Sequence, residues 1–480
     1  MIGILIFCFV IHLILIPILL GVFLYREFVT ALAKYLRPDL DSFVTGIDLS
    51  LLSNSPDKAV SNLLVSFVVK GNVSENRIQA MAQERVLTLK DSEGNLVYKK
   101  LSQFWTPFLG FAFWKTDKSF SLSNHVRKYD YEDVILPKPG DETSLKEVMA
   151  QLLTLPWRPN RSHWEVFLVS EYNWELGSDT RDQYSLVIVR VDHSILDAMS
   201  GIGILGVGFQ SPFATPRARR NAKQISLWDK YKLVYLFPYA LAKQLPVVLH
   251  GRFLNKLDPT SPYVYDASER IPVSTIKKIK DKHEVDYGSV IHSAINGGIC
   301  QTVETLQKVP PKYIDMVATL PMPDHPGGTS NHLRTFLTEL PLKSISSIDR
   351  LMVTNDIVRK CGANWSSMAS INFIKLLGIF PLSITSRMFS SITKSGPSYS
   401  ISIIPVTSSM EFIDNAEIVD VYANFAVSTS IGMNICVWGI NNQQRVNFCY
   451  TPNLFGSEIP KGTLSKYMAQ ELKELATNLS

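Results

Sequence analysis

The chain opens with an unbroken apolar segment. Residues Ile2 to Tyr25 are apolar except for His12, and roughly 18 to 20 apolar residues suffice to cross the hydrocarbon core of a bilayer. Nothing basic except the amino terminus precedes the segment, and three basic residues follow it: Arg26, Lys34 and Arg37. By the positive-inside rule, this pattern predicts a transmembrane anchor at residues 1–26, with the rest of the chain on the cytosolic side. A secreted or lumenal glycoprotein with an uncleaved anchor is the alternative that stays open.

Beyond the anchor, the hydrophobic pattern switches between strand-like runs and helical spacing. Apolar, β-branched runs predict strands at Asn62–Gly71, His163–Ser170 and Tyr184–Val191. A helix is expected to follow Ser144, because apolar residues then recur at three-to-four spacing. Further strands are predicted near the C-terminus, at Tyr399–Val406, Ala423–Ser430, Met433–Ile440 and Arg445–Tyr450. Both halves mix helices with strands, so the sequence predicts an α/β fold.

A change in composition divides the body of the chain. Residues Gly208–Lys223 contain two prolines and a basic cluster, which is typical of a linker. The next segment, Leu227–Leu249, is apolar and aromatic but is interrupted by lysines and prolines. Two interpretations of it stay open: a helix in the membrane interface, or a helix packed between domains. The predicted organisation is an anchor at 1–26, an N-terminal subdomain at 45–208, a linker with the interfacial segment at 209–259, and a C-terminal subdomain at 260–480.

Composition narrows the class of protein. With 480 residues, 46% hydrophobic and 19% charged, the chain has the profile of a folded protein of more than one unit. The net charge of +5 is spread along the sequence without a long basic tract, which argues against nucleic-acid binding. The 5 cysteines are scattered and show no CxxC spacing, so we expect reduced thiols and no metal site.

The best chemical motif is VIVRVDHSILDAMSG, which spans Val187 to Gly201. His193 stands where a buried strand ends, and a histidine at that position can face a cleft. Its ordinary pKa of about 6.5 suits a general base. Asp197 follows four residues later and can turn back to support the local backbone. The overlapping GIGILG at Gly201–Gly206 fits a dinucleotide fingerprint, but no second strand carrying an acid follows, so we interpret these glycines as packing residues.

Several stretches together resemble the wax ester synthase/diacylglycerol acyltransferase family. That family lies within the CoA-dependent acyltransferase superfamily, which also contains chloramphenicol acetyltransferase and condensation domains. The resemblance rests on the order of NHVRK, ILPKPGDETSL, SHWEVFLV and VDHSILDAMSG in the first half. In the second half it rests on SVIHSAINGGI, SNHLRTFLTELPL and GMNICVWGINNQQRVNFCYTPNLF.

The resemblance implies a two-subdomain α/β acyltransferase fold with a central tunnel between the halves. Carried over to this sequence, His193 corresponds to the catalytic histidine and Asp197 to a structural aspartate of the HxxxD motif. Asn331 corresponds to the asparagine of a Gly-Asn pair and is expected to bind substrate. Two more specific roles stay open for it: donor of a hydrogen bond to the oxyanion, or structural residue of a loop. The implied partners are acyl-CoA, which is a substrate and not a cofactor, and a long-chain alcohol or diacylglycerol at a membrane.

Some family positions differ in this chain. Asp192 stands in place of the first histidine of the family motif, Ala198 replaces its glycine, and Ile291 and His292 replace an Asn-Asp pair. Ser402–Thr407 replaces a proline-rich segment. Two functions are therefore predicted: an O-acyltransferase facing the cytosol from the endoplasmic reticulum or plasma membrane, or a weakly active or inactive paralogue that binds lipid or serves as a scaffold.

Overall fold

The computed structural model describes residues 2–174, 183–213, 242, 247, 253–255, 262–322, 325–362, 374–376, 378–394, 396–427 and 431–477. The predicted linker and interfacial segment at 209–259 lie almost entirely outside these ranges, and the prediction for them stands untested.

Helices and strands alternate along most of the chain. The helices are α1 (Ile2–Leu36), α2 (Gly46–Ser50), α3 (Glu75–Met81), α4 (Glu142–Leu152), α5 (Ala198–Phe209), α6 (Val273–Lys282), α7 (Tyr287–Thr305), α8 (Ser347–Gly362), α9 (Leu382–Lys394) and α10 (Thr463–Thr477). The strands are β1 (Ser42–Phe43), β2 (Ser61–Lys70), β3 (Gln103–Phe108), β4 (Phe111–Thr116), β5 (Val126–Lys128), β6 (Trp164–Tyr172), β7 (Tyr184–Asp192), β8 (Val264–Ala267), β9 (Ile271–Pro272), β10 (Tyr313–Pro321), β11 (Leu333–Pro341), β12 (Tyr399–Ile403), β13 (Glu411–Ile413), β14 (Ala416–Val427), β15 (Met433–Ile440) and β16 (Gln443–Tyr450).

The N-terminal apolar segment forms the first part of α1, a helix of 35 residues. Within the described part of the chain, no helix combines the length and the apolar character that a membrane crossing requires. The transmembrane anchor predicted at residues 1–26 is therefore not supported. The last turns of α1 pack on the protein, where Val29 and Ala33 are buried against Phe111 and Phe113 of β4.

Two sheets define two lobes. The first lobe contains a six-stranded sheet in the order β13-β14-β2-β7-β6-β5, antiparallel except for the β5–β6 pair. The second lobe contains the order β11-β10-β12-β15-β16-β8, with β9 paired to β16. A smaller sheet, β1-β4-β3, lies beside α1. The strands and the helix that the hydrophobic pattern predicts are present where they fall within the described ranges, although α4 begins earlier than expected, because Asp141 and not Ser144 is its N-cap.

Strand β14 links the two lobes. It comes from the predicted C-terminal subdomain, yet it pairs along its length with β2 of the first lobe. The next strand, β15, returns to the second lobe and pairs with β12 and β16. The first sheet therefore contains strands from both ends of the chain.

A buried ion pair joins the two sheets near this crossover. Arg445 of β16 donates to both carboxylate oxygens of Asp420 on β14, with Nη2 2.6 Å from Oδ2 and Nε 3.0 Å from Oδ1. Both side chains are almost fully buried. Asp420 raises the pKa of Arg445 further above its ordinary value by hydrogen bonding and charge, although burial alone would lower it. The guanidinium also lies over the ring of Tyr422, 4.5 Å from its centroid.

Breaking this pair from one side should destabilise the protein strongly. Asp420→Leu leaves a buried guanidinium without its partner, which costs about 3 to 5 kcal/mol of unfolding free energy, whereas the double variant Asp420→Leu/Arg445→Met should cost less. Urea unfolding of both variants measures the difference.

The exposed pair Arg359–Asp286 supplies the control. Arg359→Met should leave the midpoint of urea unfolding unchanged, because solvent already screens that pair. A double variant as unstable as the single one would contradict the role given to the unpaired buried charge.

Candidate active site between the two lobes

The candidate site begins where β7 ends. The β-branched run of β7 pairs with β2 on one side and β6 on the other, which makes it a central strand. The pairing extends one step past the strand, because the His193 amide donates to the carbonyl of Ser61 at 2.9 Å. His193 is 8% exposed and lines a cavity between the lobes.

Asp197, the aspartate for which the HxxxD motif predicts a structural role, lies at the end of the turn after His193. It is the N-cap of α5, and its carboxylate accepts from the Ser200 amide at 2.9 Å. The same carboxylate accepts two hydrogen bonds from the second lobe: His325 Nε2 lies 3.0 Å from both oxygens, and the His332 amide lies 2.8 Å from Oδ2. The aspartate thus joins the two lobes beside the histidine.

Asn331 holds the backbone of His193. Its Nδ2 donates to the His193 carbonyl at 2.8 Å and to Asp48 Oδ1 at 2.9 Å, and it lies 3.3 Å from the Ser194 carbonyl. Lys100 Nζ contacts the other oxygen of Asp48 at 2.6 Å. An amide nitrogen carries two protons, so the contacts to His193 and Asp48 use both of them. The structure therefore brings Asn331 against the His193 backbone, where these two acceptors use its amide protons, and its role in substrate binding stays a prediction.

Burial sets the protonation of the site. It lowers the pKa of His193, an effect partly opposed by nearby backbone groups and by the charge of Asp197. For Asp197, burial alone would raise the pKa, but the hydrogen bonds from His325, Ser200 and His332 together lower it. Around neutral pH the histidine is therefore neutral and the aspartate ionised. Nδ1 of His193 is buried without a hydrogen-bond partner among the described residues, which leaves Nε2 as the candidate basic nitrogen.

The cavity in front of His193 has a volume of about 240 Å³ and walls from both lobes. On the first lobe they comprise one face of the sheet, the inner side of α5 and the end of α3, including Leu63, Val65, Phe67, Ile78, Met81, Val189, Val191, Met199, Ile202, Leu205 and Phe209. On the second lobe they include Thr319, Leu333, Ser402, Ile403, Ile404, Pro405, Cys436 and Trp438. The segment that replaces the proline-rich family element thus forms part of this wall, and the lining is predominantly apolar.

The cavity is deep along β7. Phe67 pairs with Val187, which precedes His193 by six residues, so the two levels are about 20 Å apart at roughly 3.3 Å per residue. Helix α5 gives a similar length, since its 12 residues rise about 18 Å from the Asp197 cap to Phe209. Phe209 meets Phe67 with ring centroids 6.0 Å apart, and Trp438 lies 6.1 Å from Phe67. His193 and this aromatic group therefore mark opposite ends of one cavity.

Asp192, which replaces the first histidine of the family motif, is buried beside the site. Its Oδ1 accepts from the amide and the hydroxyl of Ser194, at 2.9 and 2.6 Å. Burial raises its pKa to about 6, although these bonds and the charge of Arg190 oppose the shift. The side chain stabilises the turn, but its ionised form is costly to bury.

Ile291 and His292, which stand at the position of the family's Asn-Asp pair, are buried in the core of the second lobe. His292 is buried within α7, where burial lowers its pKa to about 4, and it is absent from the cavity lining. In the described ranges, no group of three His, Cys, Asp or Glu side chains is arranged to hold a metal ion. Sequence reasoning missed Asp48, Lys100 and His325, because they lie far along the chain from His193 and belong to no local motif.

The raised pKa of Asp192 predicts that the protein becomes less stable as the pH rises. The folded state favours the protonated carboxyl, so its contribution is fully present below about pH 4 and is lost as the pH rises through about 6. Of a total of about 3 kcal/mol, roughly 1.4 kcal/mol is lost between pH 5 and pH 8. Asp192→Asn keeps the acceptor oxygen for Ser194 and removes the charge, so urea unfolding at the two pH values should show a smaller decline in the variant.

Asp133, whose side chain is exposed, provides the matched control. Asp133→Asn should decline between the two pH values as the parent does. If Asp192→Asn shows the same decline as the parent, Asp192 is not the group responsible.

Comparisons with known proteins are informative mainly at the level of the fold. No protein-family model matches the chain. Over 92 residues, 19% of this chain, it is 26% identical to "Putative diacyglycerol O-acyltransferase Rv1760" and 29% identical to "Putative diacyglycerol O-acyltransferase Rv3371", both from Mycobacterium tuberculosis. The match spans only 16% and 18% of those two relatives.

The structural likeness covers nearly the whole chain. A wax ester synthase/diacylglycerol acyltransferase from Marinobacter aquaeolei VT8 superposes with a TM-score of 0.60 at 14% identity, covering 91% of this chain and 99% of that one. The trichothecene 15-O-acetyltransferase TRI3 from Fusarium sporotrichioides gives a TM-score of 0.59 at 10% identity, covering 90% and 93%. The first condensation domain of the calcium-dependent antibiotic synthetase gives 0.53 at 11% identity, covering 88% and 92%.

These likenesses confirm the resemblance predicted from the motifs. The chain has the two-lobed α/β fold that is seen in wax ester synthase/diacylglycerol acyltransferase and in condensation domains.

Proposed function

We propose that the protein is an O-acyltransferase that moves a fatty acyl group from acyl-CoA to the hydroxyl of a long-chain alcohol or of diacylglycerol. The observation that carries the proposal is the position of His193, a neutral buried histidine at one end of a deep apolar cavity. The names of the structural and sequence relatives support the same class of reaction.

The proposed reaction needs one base and no cofactor. His193 Nε2 accepts the proton of the acceptor hydroxyl as the oxygen attacks the thioester carbonyl. The tetrahedral intermediate then collapses, the carbon–sulfur bond breaks, and the proton passes from His193 to the departing CoA thiolate. The products are an ester and free CoA, and the histidine returns to its neutral form.

The lipophilic part of the substrates fits the cavity. An alkyl chain gains about 25 cal/mol for each Å² of apolar surface that it buries. The walls between His193 and Phe67 are aliphatic and aromatic over about 20 Å, which suits one long chain more than a compact polar molecule. We also propose that the protein acts at the endoplasmic reticulum or plasma membrane, with the site facing the cytosol.

A second candidate function is lipid binding without turnover. It is favoured by Asn331, whose amide protons are used by His193 and Asp48 and so cannot stabilise the oxyanion of an acyl-transfer intermediate. Such a donor is worth about 3 to 4 kcal/mol in acyl-transfer enzymes. A protein that kept the cavity and lost this donor would retain chain binding and show little ester formation.

Replacing the base should abolish transfer. His193→Gln has a similar volume and no basic nitrogen, so ester formation from labelled acyl-CoA and either acceptor should fall at least a hundredfold. Because burial lowers the pKa of His193, the acid limb of the parent's kcat/KM profile should lie below pH 6.5.

Binding of a fluorescent fatty acid to parent and variant separates the two candidates. Equal binding with transfer only by the parent supports the enzyme. Equal binding with no transfer by either protein, across chain lengths and both acceptors, supports lipid binding without turnover and overturns the proposed activity.

Removing an aromatic side chain at the inner end should lengthen the cavity. Phe209→Ala opens space beyond the level of Phe67, so we expect the preferred acyl chain to become longer by about two to four carbons, with weaker preference for the parent's best chain. A competition assay with an equimolar series of acyl-CoA chain lengths measures the shift.

Phe412, an exposed phenylalanine of β13, is the matched control for this change. Phe412→Ala should keep the parent's chain-length profile. An unchanged profile in folded Phe209→Ala would show that the chain does not reach this end of the cavity.

A further inference from the structure

The segment from His325 to His332 reaches from the second lobe to the turn that carries His193, and we call it the clamp loop. Besides the bond from the His332 amide to Asp197, it contacts the turn at three places. Asn331 holds the His193 carbonyl, the Ser330 carbonyl accepts from the Asp197 amide at 3.2 Å and from Ser200 Oγ at 2.9 Å, and His325 holds the Asp197 carboxylate. The first two contacts involve a backbone group on at least one side. The His325–Asp197 contact is a pair of side chains.

The hydrogen bonds around His325 fix its tautomer. Its Nδ1 accepts from the Gly327 amide at 3.0 Å, so this nitrogen carries no proton. Its Nε2 therefore carries the proton and points it at Asp197, 3.0 Å from each oxygen. The ring is mostly buried, with 14% of the side chain exposed against 4% for Asp197. One neutral imidazole thus connects the clamp loop's own backbone to the N-cap of α5.

The Asp197 carboxylate has little freedom in this arrangement. It accepts from the Ser200 amide on its own lobe and from His325 and the His332 amide on the other. If His325 is lost, one side-chain donor disappears from a buried anion, and the contact between clamp loop and turn weakens four residues from His193. Displacement of a catalytic group by about 1 Å can reduce the rate about a hundredfold.

We propose that His325 is a positioning residue, which holds the turn after β7 so that His193 faces the cavity. The inference rests on the proposed transferase function. It predicts that the hydrogen bond to Asp197 matters for turnover, whereas the bond to Gly327 serves only to orient the ring.

Two variants separate these bonds. His325→Gln can place an amide N–H near the position of Nε2 and so keep the bond to Asp197. His325→Asn can place an amide oxygen near Nδ1 and keep the bond from Gly327, but it is too short to reach Asp197. We expect kcat of His325→Asn to fall roughly ten- to a hundredfold with KM for acyl-CoA within twofold of the parent, and His325→Gln to retain at least a third of the parent's kcat.

A measurement without turnover keeps the inference testable if no transfer is found. Hydrogen–deuterium exchange of the segment 193–200 should be at least tenfold faster in His325→Asn than in the parent, and close to the parent in His325→Gln, because the Ser200 amide is bonded to the Asp197 carboxylate.

The outcomes distinguish the two levels of the proposal. An inactive parent whose exchange follows the predicted pattern overturns the transferase function and leaves the clamp intact. An active parent whose Asn variant keeps its kcat and its exchange rates overturns the role of His325. If both variants lose kcat and His325→Asn is the more stable of the two in thermal unfolding, His325 serves the loop's structure through its bond with Gly327. That result also overturns its role in positioning His193.

Discussion

Backbone hydrogen bonds between β14 and β2 hold a strand from the C-terminal part of the chain in the interior of the first sheet. Since β15 follows β14 and belongs to the other sheet, the two lobes are connected by a covalent crossover at the back of the cavity. The Asp420–Arg445 pair adds a buried ionic contact between the same two sheets. These connections fix the position of one sheet relative to the other, so the two lobes can share the walls of one cavity.

At the front of the cavity the contact between lobes is polar. Asp197, Asn331 and Asp48 each receive or give hydrogen bonds across sequence separations of more than one hundred residues. These contacts surround the His193 backbone and leave its ring at the cavity wall. The back of the site thus depends on sheet pairing, and the front depends on a few side chains with directional bonds.

Local patterns predicted much of this arrangement. Apolar periodicity predicted the α/β class and the strands β2, β6, β7 and β15. A short motif predicted the turn with His193 and Asp197. Each of these features depends on residues that are neighbours in the sequence. Periodicity could not show that β14 joins the first sheet, since strand partners are chosen by tertiary packing. It also could not find His325, Asp48 or Lys100, which act through contacts made only in the folded chain.

The outcome at Asn331 illustrates a different limit. Its family position suggested contact with substrate, but the amide is turned toward the His193 carbonyl and Asp48. The direction of a side chain depends on which acceptors surround it, and here the nearest are a buried carboxylate and a backbone carbonyl. The transmembrane anchor was also predicted from one local property, the hydropathy of residues 1–26. The described helices do not support it.

The crossover also bears on how the chain reaches its native state. The partners Val69 and Ile418 are about 350 residues apart, so most of the polypeptide must be synthesised before β2 gains its second neighbour. Until then, the emerging first lobe presents an open, strongly apolar strand edge in the cell. Such an edge favours pairing with other chains, so retention by chaperones during translation would benefit this protein more than one whose sheets close in sequence order.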